Sequence, residues 1–456
     1  MNVQSVLAKL SLCRTAALGG RKLECDTCES TCYVYNSCGD RHCSQCSGSK
    51  RYDFSERASK LLLDGIDYYQ VVFTLPSELS GMALGNRQLL ADLLFQSAWK
   101  SLQKTIRNEQ GYEPAATMVL HTWNQKLDAH WHVHALVPGA GPGVGNGDWQ
   151  TSTSPAGSSN SDDHYLVDAI KLRQTFRKHA IAHLNRLRKR GELKLDADSE
   201  FGDLQEEDAW QSLLDHISSL EWVSYIQPPP AGSSGPNDLV RYLTRYLTGG
   251  PISDSRIVAA DEHEVTFMAR EGTTQGGESI QVPVTLSSLE FTRRWCLHIQ
   301  PDQVTKVRYF GGWSNRQMAS YQGRCIKAMD RANVPLSDTA LDFPPAESET
   351  LAFDGKESEL TCPHCEDGIL RLLETYPRPS WREIFSRGSE LMPRWYAESL
   401  EVSERAFWDG SYGEGFYDWY LKTLIESAYR PPPVVRYTQP NLPGLERPGY
   451  YELELF

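Results

Sequence analysis

Arg241-Tyr242-Leu243-Thr244-Arg245-Tyr246-Leu247 places two tyrosines four residues apart, about a hundred residues after His130-Trp131-His132-Val133-His134. On a helix, side chains at i and i+4 share one face, with Cβ atoms ~5–6 Å apart, so Tyr242 and Tyr246 can present two phenols to one point. In a strand, alternate side chains share a face. That puts His130, His132 and His134 on one side, with Trp131, Val133 and Ala135 on the other. His121 ends a second short apolar stretch, Thr117-Met118-Val119-Leu120-His121. If the two stretches pair, His121 completes a three-imidazole metal site with His132 and His134, and His130 is the competing ligand. Ligand softness alone favours zinc or another transition ion over magnesium at three imidazoles. A metal ion beside paired phenols is what breaking and rejoining a nucleic-acid strand through a covalent protein link requires. A phenol with a pKa near 10 is ionised in only about one molecule in a thousand at neutral pH, so such a nucleophile must be activated.

The tyrosine segment is punctuated as a helix, with Pro236-Asn237-Asp238 before it and Gly249-Gly250-Pro251 after it. Leu239, Leu243 and Leu247 form its buried stripe. The tyrosines flank that stripe, so plain edge packing is the competing reading of the pair.

Seven of eleven cysteines precede residue 50. Cys25-x2-Cys28 and Cys43-x2-Cys46 have the spacing of a closed four-thiolate zinc site, structural because it leaves no open position. Cys38 or His42, inside the same stretch, can replace one of the four. Cys362-Pro363-His364-Cys365 resembles half of a zinc knuckle and stays unassigned. Between Lys171 and Lys194, nine basic residues (Lys171, Arg173, Arg177, Lys178, Arg186, Arg188, Lys189, Arg190 and Lys194) face one acid, Glu192. A solvated helix normally mixes signs, so this stretch is a candidate phosphate-binding face.

The elements that position these groups follow from periodicity. Strands are expected at 69–74, 117–121, 132–137 and 222–226, and helices at 87–106 and 165–195. A further strand pair is expected at 263–268 and 279–286. Hairpin-like neighbours favour an α+β antiparallel sheet over a doubly wound parallel one. Pro138 to Ser161 is a Gly/Ser/Pro-rich surface loop without a phosphate-loop signature. The expected division is a zinc-binding domain at 1–60, a catalytic domain at 61–330 and an acidic appendage at 331–456. The net charge of −13 is concentrated in that last segment, which holds 12 basic and 22 acidic residues. The remainder is nearly neutral, so the total does not exclude a nucleic-acid partner. No apolar run has membrane-spanning length and no secretory signal stands at the front, so the expected location is cytoplasmic, with cysteines used for metal.

The chain resembles the two-tyrosine rolling-circle transposases of the IS91 insertion-sequence family, within the HUH endonuclease superfamily. The resemblance rests on Tyr35-Asn36-Ser37-Cys38-Gly39-Asp40-Arg41-His42-Cys43-Ser44-Gln45-Cys46, on Val71-Val72-Phe73-Thr74-Leu75-Pro76, and on Leu120-His121-Thr122-Trp123. It continues through His130 to Val137, Tyr242 to Leu247 with Pro251-Ile252-Ser253, and Phe291-Thr292-Arg293-Arg294. Trp131 and Ser44 stand where the family usually has proline, and Cys32 is an added cysteine. The resemblance implies an HUH-type antiparallel sheet with flanking helices behind an N-terminal zinc-binding domain. It implies magnesium or manganese at the histidines, against the softness argument. It also implies cleavage and rejoining of single-stranded DNA at the element's ends, and transfer to target DNA, through 5′-phosphotyrosine links to Tyr242 and Tyr246. A plasmid relaxase or replication initiator would share that chemistry, and a non-catalytic zinc DNA-binding regulator would share only the front module.

Overall fold

A computed structural model of the chain describes residues 3–46, 61–63, 65–155, 164–196, 201–227, 250–273, 279–301, 304–334, 361–365 and 367–384. The expected tyrosine helix, with Tyr242 and Tyr246, lies outside the described residues. In chain order the first elements are α1 (Val3–Ser11), β1 (Gly20–Cys25), β2 (Thr31–Tyr35), β3 (Tyr68–Thr74), α2 (Ser80–Gly85) and α3 (Arg87–Glu109). Then come β4 (Ala115–Trp123), β5 (Ala129–Pro138), β6 (Ala140–Pro142), β7 (Trp149–Thr151), α4 (Ala169–Lys189), α5 (Glu207–Ser219) and β8 (Val223–Gln227). β9 (Ile257–Ala260), β10 (Glu264–Thr273), β11 (Ser279–Ser287), α6 (Ser288–Leu297), β12 (Val307–Gly311), α7 (Met318–Arg331), β13 (Leu370–Tyr376) and α8 (Trp381–Ile384) complete the set. Among the described residues no helix is long and apolar enough to cross a membrane.

The chain forms two compact units. One comprises Ser49–Pro251 and Leu297–Pro345, the other Met1–Gly48, Ile252–Cys296 and Ala346–Phe456. The larger unit is built on a five-stranded antiparallel sheet ordered β12-β4-β5-β3-β8, so the fold is α+β as expected. Strand alternation sorts its side chains. Val71, Phe73, Met118, Leu120, Trp131 and Val133 join the α3, α4 and α5 residues Leu94, Ala98, Phe176, Leu184 and Trp210 in the main core. Tyr68, Val119 and Leu136 face the other way and pack with Trp313 and with Tyr321, Cys325 and Met329 of α7.

Local chemistry sets these elements. The Asp168 carboxylate caps α4 by accepting from the Ile170 and Lys171 N–H groups at 2.8 and 3.0 Å. Gly191 ends the helix at φ +66°, a left-handed position that costs glycine little. Between β4 and β5, the Asn124 side-chain oxygen accepts from the N–H groups of Lys126 and Asp128, both at 2.9 Å. Buried His298 donates from Nε2 to the Leu127 carbonyl at 3.0 Å. The connection is therefore shorter than the ten residues expected, and its geometry pins the register of the two strands.

In the smaller unit, β1 lies between β2 and β13, and β9, β10 and β11 form a second antiparallel sheet. The expected division at residue 330 is not what the structure shows for 361–384. β13 takes the free edge of β1, with Gly20 opposite Tyr376 and Cys25 opposite Leu370, so this segment belongs to the same unit as the front module. Its polar, proline-rich flanks concealed it, because edge pairing uses backbone groups that no composition signal marks.

Phe73 is fully buried and meets the Phe176 ring at 4.9 Å between centroids. Phe73→Ala is expected to cost about 3–5 kcal/mol, read as a lower denaturant midpoint of the larger unit. Val223→Ala, at a half-exposed position of β8, is expected to stay within about 0.5 kcal/mol.

Candidate metal centre and nucleic-acid interface

The β4–β5 pairing sets His121 directly opposite His132, with Val119 opposite His134. Thus His121, His132 and His134 share the sheet face away from the α3–α4–α5 core. Their ring centroids lie 5.3 Å (His121–His132), 4.7 Å (His121–His134) and 5.0 Å (His132–His134) apart, and their candidate ligand nitrogens all fall within 4.8 Å of one another. Burial pushes the His134 imidazole down to about 4. It drives His132 well below its ordinary value, and the neighbouring His134 and His130 add to that fall. His132 and His134 are therefore neutral at pH 7, the form in which an imidazole ligates a metal.

The outer partners suit an ion. His132 Nδ1–H donates to the His130 carbonyl at 3.0 Å, which leaves Nε2 with its lone pair. His130 acts here through its backbone and stands outside the cluster of three. The buried Gln70 amide nitrogen lies 2.8 Å from His134 Nδ1, and among the described residues its oxygen has no partner. Turned end for end, the amide accepts from Nδ1–H and again frees Nε2. Gln70 was not singled out in the sequence, although a lone amide within Tyr68-Tyr69-Gln70-Val71-Val72-Phe73 was a visible signal. Trp123 stacks on His121 at 4.7 Å, and the Lys306 ammonium sits 5.0 Å from the Trp123 ring centre, adding an aromatic and cationic edge.

The structure does not gather Cys25, Cys28, Cys43 and Cys46 around one point. Cys43 and Cys46 join Cys13 and Cys38, while Cys25 and Cys28 join Cys362 and Cys365. In the first cluster Cys13 lies 3.5 Å from both Cys46 and Cys43, and Cys38 lies 3.6 Å from Cys46. Zn–S bonds of ~2.3 Å in a tetrahedron give sulfur–sulfur edges of about 3.8 Å, whereas a disulfide needs about 2.05 Å. The cysteines are free thiols, and the set fits a structural zinc. The Cys13 thiol is pulled down to about 4 because Cys38 and Cys43 donate to it, so one thiolate is favoured before any ion binds. His42, the other alternative, pairs instead with Asp40, Nδ1 to Oδ1 at 2.9 Å. Cys13 escaped notice because it has no C-x2-C partner in sequence.

The basic stretch divides once its neighbours are seen. Arg173 pairs with Glu221, and Arg188 pairs with Glu207 while lying over the Trp210 ring. Arg177 donates to the Ser218 carbonyl at 2.9 Å, Arg190 meets Glu192 at 3.6 Å and Lys171 meets Glu109 at 3.4 Å. Among the described residues, Lys178, Arg186 and Lys189 have no such acid. Lys178 and Arg186 cluster instead with Lys100 and Lys104 of α3 around His179, whose pKa is lowered first by partial burial and then by these cations. This patch covers the helical layer, on the opposite side of the sheet from the three histidines.

Metal titration separates ligand from bystander. His121→Ala and His132→Ala are expected to weaken Mn2+ binding strongly in an electron paramagnetic resonance titration. His130→Ala, which keeps the carbonyl, should bind as the unsubstituted chain does. Gln70→Leu should weaken binding about 10–100-fold. Because burial keeps His132 and His134 neutral, their contribution to affinity should hold through pH 6.5, where free imidazole protonates, and that of His134 should fall only towards pH 4. Equal losses in His130→Ala and His121→Ala would contradict the ligand set.

Comparison with known proteins agrees with this architecture. Residues 1–75 match the family model described as "Transposase zinc-binding domain", and residues 115–320 match that described as "Putative transposase". The chain is 31% identical over 382 residues to "Putative transposase y4qJ" of Sinorhizobium fredii, covering 81% of this chain and 89% of that protein. It is 26% identical over 355 residues to the transposase for insertion sequence element IS801 of Pseudomonas savastanoi pv. phaseolicola, covering 76% and 79%. No solved structure matches. With its front zinc-binding module, its sheet-borne histidines and these relatives, the chain belongs to the IS91 family of transposases.

Proposed function

We propose that the protein cleaves and rejoins single-stranded DNA at the ends of its own insertion sequence, in the bacterial cytoplasm, through 5′-phosphotyrosine intermediates on Tyr242 and Tyr246, as a rolling-circle transposase. The observation that carries this reading is the convergence of three imidazoles on one sheet face, a donor set that fits a divalent cation. Mg2+ or Mn2+ bound there would supply positive charge to the non-bridging oxygens of the scissile phosphate. His132 and His134 are held in ligating orientation by the His130 carbonyl and the Gln70 amide, and the Lys306–Trp123 pair offers a charge and a stacking surface beside them.

The rest of the chemistry belongs to the tyrosines. One phenol oxygen attacks phosphorus and loses its proton, the bond to the 3′ oxygen breaks, and that oxygen leaves as a protonated 3′-OH. The new phosphotyrosine ester retains the energy of the broken bond, so rejoining needs no nucleotide cofactor. A tyrosine already esterified cannot attack a second phosphate, and a second tyrosine removes that block.

The patch of Lys100, Lys104, Lys178 and Arg186 suits a different stretch of DNA from the one at the histidines, since the sheet separates them. Each lost phosphate contact should flatten the salt dependence of single-strand affinity by about 0.7 in log–log slope. Changing these four to glutamine is expected to produce that flattening. Arg173→Gln with Arg188→Gln, whose charges are already paired, should leave the slope unchanged.

Oligonucleotides carrying the element's own end sequences test the central step. Tyr242→Phe/Tyr246→Phe keeps both rings and removes both nucleophilic oxygens, so it should form no covalent DNA adduct, while each single variant cleaves but fails to transpose. Adducts in the folded double variant would overturn the tyrosine mechanism. Wild-type transposition in both single variants would overturn the need for two.

A further inference from the structure

The second sulfur cluster joins parts of the chain far apart in sequence. Cys25 Sγ lies 3.7 Å from Cys365 Sγ, and Cys28 Sγ lies 3.7 Å from Cys362 Sγ, across separations of 340 and 334 residues. All four sulfurs fall within 4.8 Å of one another. Cys362 and Cys365 lie beyond both matched family regions, which end at residues 75 and 320.

We propose that Cys25, Cys28, Cys362 and Cys365 hold a second structural zinc, which fastens the segment around β13 to the front module. Three independent features support a built site. First, the sulfur spacing matches the tetrahedral edge of about 3.8 Å expected from ~2.3 Å Zn–S bonds and is far from disulfide length. Second, backbone N–H groups already point at the sulfurs: Thr27 and Cys28 donate to Cys25 Sγ, and His364 donates to Cys362 Sγ, each at 3.4 Å. These bonds stabilise negative charge on the sulfur, the state a zinc ligand must reach by giving its proton to solvent. Third, the turn after Cys365 is shaped around the cluster. A Cβ on Gly368 would stand 2.2 Å from Cys25 Sγ, so only glycine lets this turn close over that sulfur.

The two C-x2-C turns are also locked to each other by hydrogen bonds. Asp26 N–H donates to the Ile369 carbonyl at 3.0 Å, and Ile369 N–H donates to the Asp26 carboxylate at 2.8 Å. Cys362 N–H donates to the Gly368 carbonyl at 2.7 Å, which tightens the second turn. The β1–β13 pairing begins directly beyond, at Cys25 opposite Leu370. Without Cys362 and Cys365, Cys25 and Cys28 would supply only two of the four thiolates a closed zinc site needs.

Elemental analysis of the full-length chain decides the matter when the histidine site is first removed by His132→Ala/His134→Ala. The unsubstituted cysteine set should hold two zinc ions per chain, one for each four-thiolate cluster. Cys362→Ser/Cys365→Ser should lose one of them, and Cys43→Ser/Cys46→Ser should lose the other. One zinc in the parent, two in Cys362→Ser/Cys365→Ser, or iron in place of zinc would overturn the assignment. Gly368→Val guards against loss of fold, because it keeps every cysteine. It should speed the release of one zinc to a chromophoric chelator while the other leaves at the parent rate, and unchanged release of both would again overturn the proposal.

Discussion

The antiparallel register between β4 and β5 is the constraint on which the candidate centre depends. His121 stands opposite His132 and diagonal to His134, and the opposite face of β5 carries Trp131 and Val133 into the main core. A slip of one residue would exchange those faces, burying imidazoles in the apolar core and exposing tryptophan. Core burial and site assembly therefore select the same register. The Asn124 turn and His298 hold it from one end, and β3 holds it from the side by pairing Val72 with His134 and Thr74 with His132. Gln70, two residues along β3 on the same face, is carried to His134 by that pairing.

The smaller unit solves a different problem. Its local apolar cluster is modest, built from Ala8, Leu12, Ala17, Leu18 and Ile384, and the sulfurs of Cys13, Cys38, Cys43 and Cys46 form part of it. Small folds that bury little apolar surface commonly depend on metal or disulfide staples. The Cys13–Cys46 cluster closes a short stretch of chain. The Cys25–Cys365 cluster spans most of the chain's length, so its two halves meet only after the intervening segments have folded or been bypassed.

Much of this architecture was legible in the sequence. The strands at 68–74, 115–123 and 129–138 and the helix at 87–109 follow from apolar periodicity and β-branched composition. The three histidines could be grouped because alternation and a hairpin relation are local properties. The cysteine pairing could not be read in the same way. Two C-x2-C turns adjacent in sequence looked like one site, but which turns meet depends on β13 crossing to the edge of β1. The basic stretch misled for a related reason. Glu207 and Glu221, which neutralise Arg188 and Arg173, lie on or beyond the next helix, and Lys100 and Lys104 come from the preceding one. Charge on a face is a tertiary quantity, and a window of sequence records only its own element.

Counting imidazole nitrogens on a bound ion tests the account where it is most exposed. Pulsed electron paramagnetic resonance of the Mn2+-loaded full-length chain detects nitrogen coupling from each coordinated histidine directly. The account predicts coupling from three imidazoles, reduced to two when His121 is replaced by a non-ligating residue of similar size and unaltered when His130 is. A spectrum with no nitrogen coupling, or one that loses a nitrogen with His130 but not with His121, would contradict it.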